Sequence, residues 1–183
     1  GGYATGSDLE DSGGGIFCYY TSPTIQHCLI QDNYASQYGG GVYSAYASIA
    51  LYDCIIAENQ AGESGGGLRI YDGLCLITDC DFLDNTAGVY GGAIDNRLDG
   101  MLDIFNCSFT GNVAGENGGA IRSSSASVDI SNSLFTENTA TYNGGAIRNL
   151  SSSGNISNCI FAHNEAAYGA AIHNSASSPT ISN

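Results

Sequence analysis

The sequence predicts an all-β fold: a right-handed, single-stranded parallel β-helix, or β-solenoid, of about seven coils of 26 residues with three short strands per coil. Three observations predict it. The composition favours turns and strands over helices, with 26 glycines, 12 tyrosines and no tryptophan among 183 residues. An asparagine recurs at Asn33, Asn59, Asn85, Asn112, Asn138 and Asn164, at intervals of 26, 26, 27, 26 and 26. Between asparagines stand short apolar stretches of alternating character, such as Val128-Asp129-Ile130 and Ser133-Leu134-Phe135, separated by Asn, Ser and Gly. A helical solenoid is excluded, because its repeats run to about 33–47 residues with apolar spacings of three and four. The right hand follows from the preference for right-handed crossovers between parallel strands.

Each unit opens on a glycine turn followed by an aliphatic residue, at Ile16, Val42, Leu68, Ile94, Ile121, Ile147 and Ile172. A second strand is marked by Ile25, Leu51, Ile77, Ile104, Ile130, Ile156 and Ile181. Three residues later comes a column of Cys28, Cys54, Cys80, Cys107, Ser133 and Cys159, and two beyond it Ile30, Ile56, Phe82, Phe109, Phe135 and Phe161. Neighbouring coils pair about 4.8 Å apart, so each column becomes a ladder of like residues along the axis. The asparagine always lies eight residues past the second-strand aliphatic. That fixed interval predicts a tight corner in which asparagines hydrogen-bond up the stack and adopt left-handed backbone. The one inserted residue falls around Arg97-Leu98-Asp99-Gly100, which marks a loop. Residues 1–183 read as a single domain.

Two motifs carry a resemblance. Gly-Gly-Ala-Ile at 91–94, 118–121 and 144–147, and Phe-x-x-Asn at 82–85, 109–112, 135–138 and 161–164, resemble the repeats of the polymorphic outer-membrane proteins of chlamydiae, and more broadly those of bacterial right-handed β-helix surface proteins. The resemblance implies an extracellular or cell-surface location and a structural or adhesive role. Both motifs are structural, so they speak to fold more than to function.

Composition limits the partners. Four arginines, no lysine and 18 acids give a net charge of −14, which repels phosphate backbones and excludes a nucleic-acid partner. No apolar run approaches the roughly 20 residues of a membrane-spanning helix. The ladder cysteines Cys28, Cys54, Cys80, Cys107 and Cys159 are expected to be buried free thiols, and Cys75 matches the apolar Ile49, Leu102 and Val128; Cys18 has no place in this scheme. Two columns of acids, Asp32, Glu58 and Asp84 before the asparagines and Asp53 and Asp79 before the cysteines, are candidate calcium ligands, or else solvated charge. No other cofactor is implied. The position after the glycine-turn aliphatic holds Tyr43, Arg69, Asp95, Arg122, Arg148 and His173; its cations Arg69, Arg122, Arg148 and His173 are the candidate face for a host-surface or glycan ligand. Arg69, Asp95 and Arg122 alternate in sign and fit a structural charge ladder equally well. The tyrosines before the glycine turns, Tyr38, Tyr90, Tyr142 and Tyr168, either stack on a ligand or cover glycine backbone.

The alternative class is a pectate-lyase-like, carbohydrate-active enzyme or a polysaccharide-binding module. An enzyme is not expected: the acids repeat by column instead of converging on one bond, and no unit is long enough to wall a cleft. The ends suggest one further property. The chain stops after Ile181, Ser182 and Asn183, where earlier units continue into Cys-x-Phe-x-x-Asn, while it begins Gly1, Gly2, Tyr3 with Tyr3 and Gly6 at the Phe and Asn spacing. The amino-terminal segment is therefore expected to complete the last coil of a second copy, giving head-to-tail filaments, unless the residues are a piece of one longer solenoid, which gives the same phase match.

Overall fold

A computed structural model of the chain describes residues 1–5 and 11–183, and every paired strand in it is parallel. The described strands form four sheets, of six, seven, seven and six strands, instead of the three expected. The glycine-turn sheet collects Ile16–Tyr19, Val42–Ala45, Leu68–Tyr71, Ile94–Arg97, Ile121–Ser124, Ile147–Leu150 and Ile172–Ser175. The second sheet runs from Thr24–Gln26 to Thr180–Ser182, and the third, carrying the phenylalanines, from Leu29–Gln31 to Ile160–Ala162. The additional sheet is built from two-residue strands just after the asparagines, such as Tyr34–Ala35 and Thr86–Ala87. Two residues are too few to show an alternating pattern, which is why periodicity does not find them. With 26 described strands at four per turn, the rod has six full turns and part of a seventh, slightly fewer than the seven expected.

Every column read from the sequence is a physical ladder. Leu51, Ile77, Ile104, Ile130 and Ile156 are direct partners across successive coils, as are Phe82, Phe109, Phe135 and Phe161. The phenylalanine rings stack face to face with centroids 4.7–4.9 Å apart. Offset packing of aromatic rings contributes about 0.5–1.5 kcal/mol per pair beyond the area buried.

The corners are made by backbone conformation. Each coil turns through four residues in the left-handed region: a glycine, the residue before the asparagine, the residue before the cysteine, and one at the end of the glycine-turn sheet. The asparagines themselves are not left-handed; Asp32, Glu58, Asp84, Gly111, Glu137 and His163, one residue earlier, carry φ of 52° to 66°. Freed from the turn, each asparagine side chain enters the core. Its Oδ1 accepts from the backbone N–H and the Nδ2 of the asparagine one coil earlier, at 2.9–3.1 Å. From Asn59 onward its Nδ2 also donates to a carbonyl of that earlier coil, such as Phe82 O from Asn112 at 3.0 Å. Donors and acceptors are matched, so a polar ladder runs through the interior without leaving a corner group unpaired.

The glycine turn has two separate requirements. Gly91 sits at φ 59°, a conformation that penalises any Cβ. Gly92 is not left-handed, but a Cβ there would lie 2.2 Å from the Gly119 carbonyl oxygen of the next coil. At the inserted residue, Leu98 and Asp99 are both left-handed where other coils use one such residue, so the extra residue is absorbed by a second kink.

Candidate functional site

The column beside the glycine turns is where charge gathers. Phe17, Tyr43, Arg69, Asp95, Arg122, Arg148 and His173 are successive partners in the glycine-turn sheet. Three of the four arginines of a strongly acidic chain therefore share one line. They were expected to face outward, but Arg69 is 3% exposed, Asp95 0% and Arg122 7%. Asp95 bridges the two arginines: Arg69 Nη1 donates to its Oδ2, and Arg122 Nη1 to its Oδ1 at 3.0 Å.

What buries this triad is the line of residues preceding the glycines. Tyr38, Ser64, Tyr90, Asn117, Asn143 and Tyr168 bridge one another along the axis and form a cover over the column. Tyr38 lies 4.6 Å from the Arg69 guanidinium and Tyr90 4.0 Å from that of Arg122, each by ring centroid. A desolvated guanidinium over a ring gains about 2 kcal/mol, which offsets part of its burial. Arg69 and Arg122 are thus withdrawn from the candidate ligand face, and the structural charge ladder is the correct reading of that pair. Tyr38 and Tyr90 cover arginine, not glycine. Tyr142, although exposed, falls outside the cover line, where Asn143 stands instead.

Arg148 and His173 differ. Both are half-buried, and among the described residues neither has an acid partner. Burial and then the charge of Arg122 push Arg148 down from its ordinary value. Burial and then Arg148 likewise lower His173, whose Nδ1 is enclosed without a partner.

The acid columns have a conformational explanation that the sequence reading missed. Asp32, Glu58, Asp84, Asp53 and Asp79 all have positive φ and all are exposed. Asp, Asn and His are enriched at left-handed positions; they fill the column before the cysteines and half of the column before the asparagines, which also holds Glu58, Gly111 and Glu137. Among the described residues, no three His, Cys, Asp or Glu side chains converge to hold a metal ion.

The cysteines form a hydrogen-bonded ladder of free thiols. Cys54, Cys80 and Cys107 each donate to the carbonyl two residues earlier at 3.2 Å. Cys80 and Cys107 accept from the N–H of the cysteine one coil before. Ser133 makes both bonds through its hydroxyl, which explains its place in the column. Cys28 is exposed and Cys159 half-buried, contrary to expectation, because each belongs to a coil covered on one side only. Cys18 is an interior residue of the glycine-turn sheet, aligned with Ser44, Ile70, Asn96, Ser123 and Asn149. Burial raises the Cys18, Cys54, Cys75 and Cys159 thiols, leaving them protonated and unreactive at neutral pH.

The amino-terminal segment is out of the expected phase. Tyr3 pairs with Tyr34 and Ala4 with Ala35, so Gly2 occupies the asparagine position and its N–H caps Asn33 Oδ1 at 2.7 Å. Tyr3 therefore does not supply a phenylalanine-type strand to another chain; Gly6 lies outside the described residues. An aromatic cluster of Phe17, Tyr19, Tyr20, Tyr46 and Tyr71 occupies the first three coils. Sequence columns alone do not reveal it, since the rings come from adjacent columns.

Among the described residues, no helix is long and apolar enough to cross a membrane. The family model described as the right-handed beta helix region matches residues 3–135, well over half of the chain. That described as the Chlamydia polymorphic membrane protein repeat matches residues 132–150. No curated protein and no solved structure matches the chain.

Proposed function

Because this chain belongs to the right-handed β-helix family, we propose that it is a non-catalytic rod of a surface-displayed protein, with a structural or adhesive role. The observation that carries this reading is the match of residues 132–150 to a membrane-protein repeat, at one of the three coils in which both repeat motifs are complete. Two further features support it. The asparagine motif is used to hold coil to coil, and among the described residues the buried arginines Arg69 and Arg122 are engaged by Asp95 of the same column. In this reading no cofactor is held, and the corner acids are solvated charge. The partner is a host-surface or glycan ligand on an outer face. Self-association is a finer part of the proposal: copies would meet near Gly1, Gly2 and Tyr3 and near Ile181, Ser182 and Asn183, without strand completion.

Protease accessibility on intact source cells, read with antibody to the purified chain, tests surface display; a protected chain overturns it. Incubation with acidic and neutral polysaccharides tests the absence of catalysis, and chain shortening of any of them would restore the enzyme reading. Sedimentation of the 183-residue chain over a range of concentrations tests self-association.

A further inference from the structure

The charge column and its cover are built to match along most of their length. Arg69 and Arg122 each have a share of Asp95 and a tyrosine above them, Tyr38 and Tyr90. Ser64 occupies the cover line between those tyrosines and is itself fully buried. The match fails at the next step. After Arg122 the column continues with another cation, Arg148, and then His173, so like charge follows like charge one coil apart with no acid between. The cover changes at the same place, from Tyr90 to Asn117 and Asn143.

The groups left there can all donate. Arg148 uses Nη1 on the Asn149 carbonyl at 2.6 Å, and its other N–H groups make no protein hydrogen bond among the described residues. His173 Nδ1 is enclosed and unpartnered. Asn117 turns its Oδ1 to the Asn143 amide at 2.6 Å, which leaves its own Nδ2 without a protein acceptor among the described residues. Half-buried donors with net positive charge need an acceptor that carries negative charge. We propose that Arg148, His173 and Asn117 form a binding site for an oxyanion, a carboxylate or sulfate group, which supplies from outside the column the counter-charge that Asp95 gives to Arg69 and Arg122. The depressed Arg148 and His173 groups fit this arrangement, because each lacks the counter-charge that would restore it. The proposal names the ligand chemistry of the outer column and stands whether or not the protein is surface-displayed.

Side-chain NMR of the arginine and histidine nitrogens tests it, with sulfate and acetate titrated against chloride at constant ionic strength and a sulfated oligosaccharide in a parallel series. The expected result is a saturable shift at Arg148 and His173 that chloride does not reproduce. It should be lost in R148Q and kept in R97Q, which removes the one arginine outside the column. Saturation at lower concentration by the oligosaccharide identifies a glycan as the source; equal response to the free ions identifies a small-anion site. No shift at Arg148, or an unchanged His173 shift in R148Q, overturns the proposal. Should R148Q fold poorly, H173Q at the half-buried end of the column must weaken the shift at Arg148.

Discussion

Two corners of the same coil obey different rules. At the asparagine corner all six coils use the same residue, five of them, from Asn59 onward, with the same three-way hydrogen bonding, and the interval before it never varies. At the corner ending the glycine-turn sheet, the left-handed position holds Tyr20, Tyr46, Asp72, Leu98, Ser125, Ser151 or Ala176, and one coil adds a residue. Both corners change direction by the same backbone conformation. The difference is whether the next side chain enters the core with polar groups that need partners. Where it does, length and identity are fixed; where it does not, the corner tolerates aromatic, acidic, small and inserted residues alike.

The sharpest way to break this contrast is to remove one rung. Asn112→Ala deprives the Asn85 N–H and the Phe82 carbonyl of their partners and leaves the amides of Asn85 and Asn138 short of one. At about 1–3 kcal/mol for each buried group left unpaired, this substitution should cost several kcal/mol in a denaturant titration. Deleting Asp99, which restores the common interval at the variable corner, should change stability by no more than about 0.5 kcal/mol. Equal losses from the two changes would dissolve the distinction.

Next in size is the buried triad. Asp95→Asn leaves Arg69 and Arg122 enclosed without a counter-charge and should cost about 3–5 kcal/mol by the same titration. The cysteine ladder gives a smaller effect that separates hydrogen bonding from packing. Cys80→Ser should hold stability within about 1 kcal/mol, as Ser133 does naturally, whereas Cys80→Val removes the acceptor of the Cys54 N–H and should cost more. The smallest effect is electrostatic. Asp103 is raised by burial and then by Asp129 in the next coil. The folded chain thus holds this proton to higher pH than the unfolded chain does. Stability should fall as pH rises from the ordinary aspartate value through the raised one, and Asp103→Asn should flatten that slope in thermal melts.

The sequence was most legible where one residue type does one task in every coil. Asn85, Ile77 and Phe109 each stand in a column that repetition makes visible, and the register follows from the spacing alone. The fourth sheet was hidden because Thr86–Ala87 offers two residues and no alternation. The placement of Arg69 was misread for another reason: it does point away from the core, and it is buried because Tyr38 folds over it from another part of the repeat. Outward and exposed are different properties. The conformational cause of the acid columns was not legible, because Asp serves a left-handed corner through its short side chain and brings its charge along unasked.

That last feature bears on how such a rod behaves in bulk solution. Among the described residues eight acids, Asp32, Asp53, Glu58, Asp72, Asp79, Asp84, Asp99 and Glu137, stand at left-handed corners, a conformation that Asn106, Asn132 and Asn158 adopt at the corner before the cysteines. Exchange between Asp and Asn at these sites leaves the backbone conformation intact while moving the isoelectric point and the mutual repulsion between molecules. Colloidal behaviour is thereby uncoupled from architecture, and drift through ordinary substitutions can retune how closely neighbouring rods approach without disturbing a single ladder.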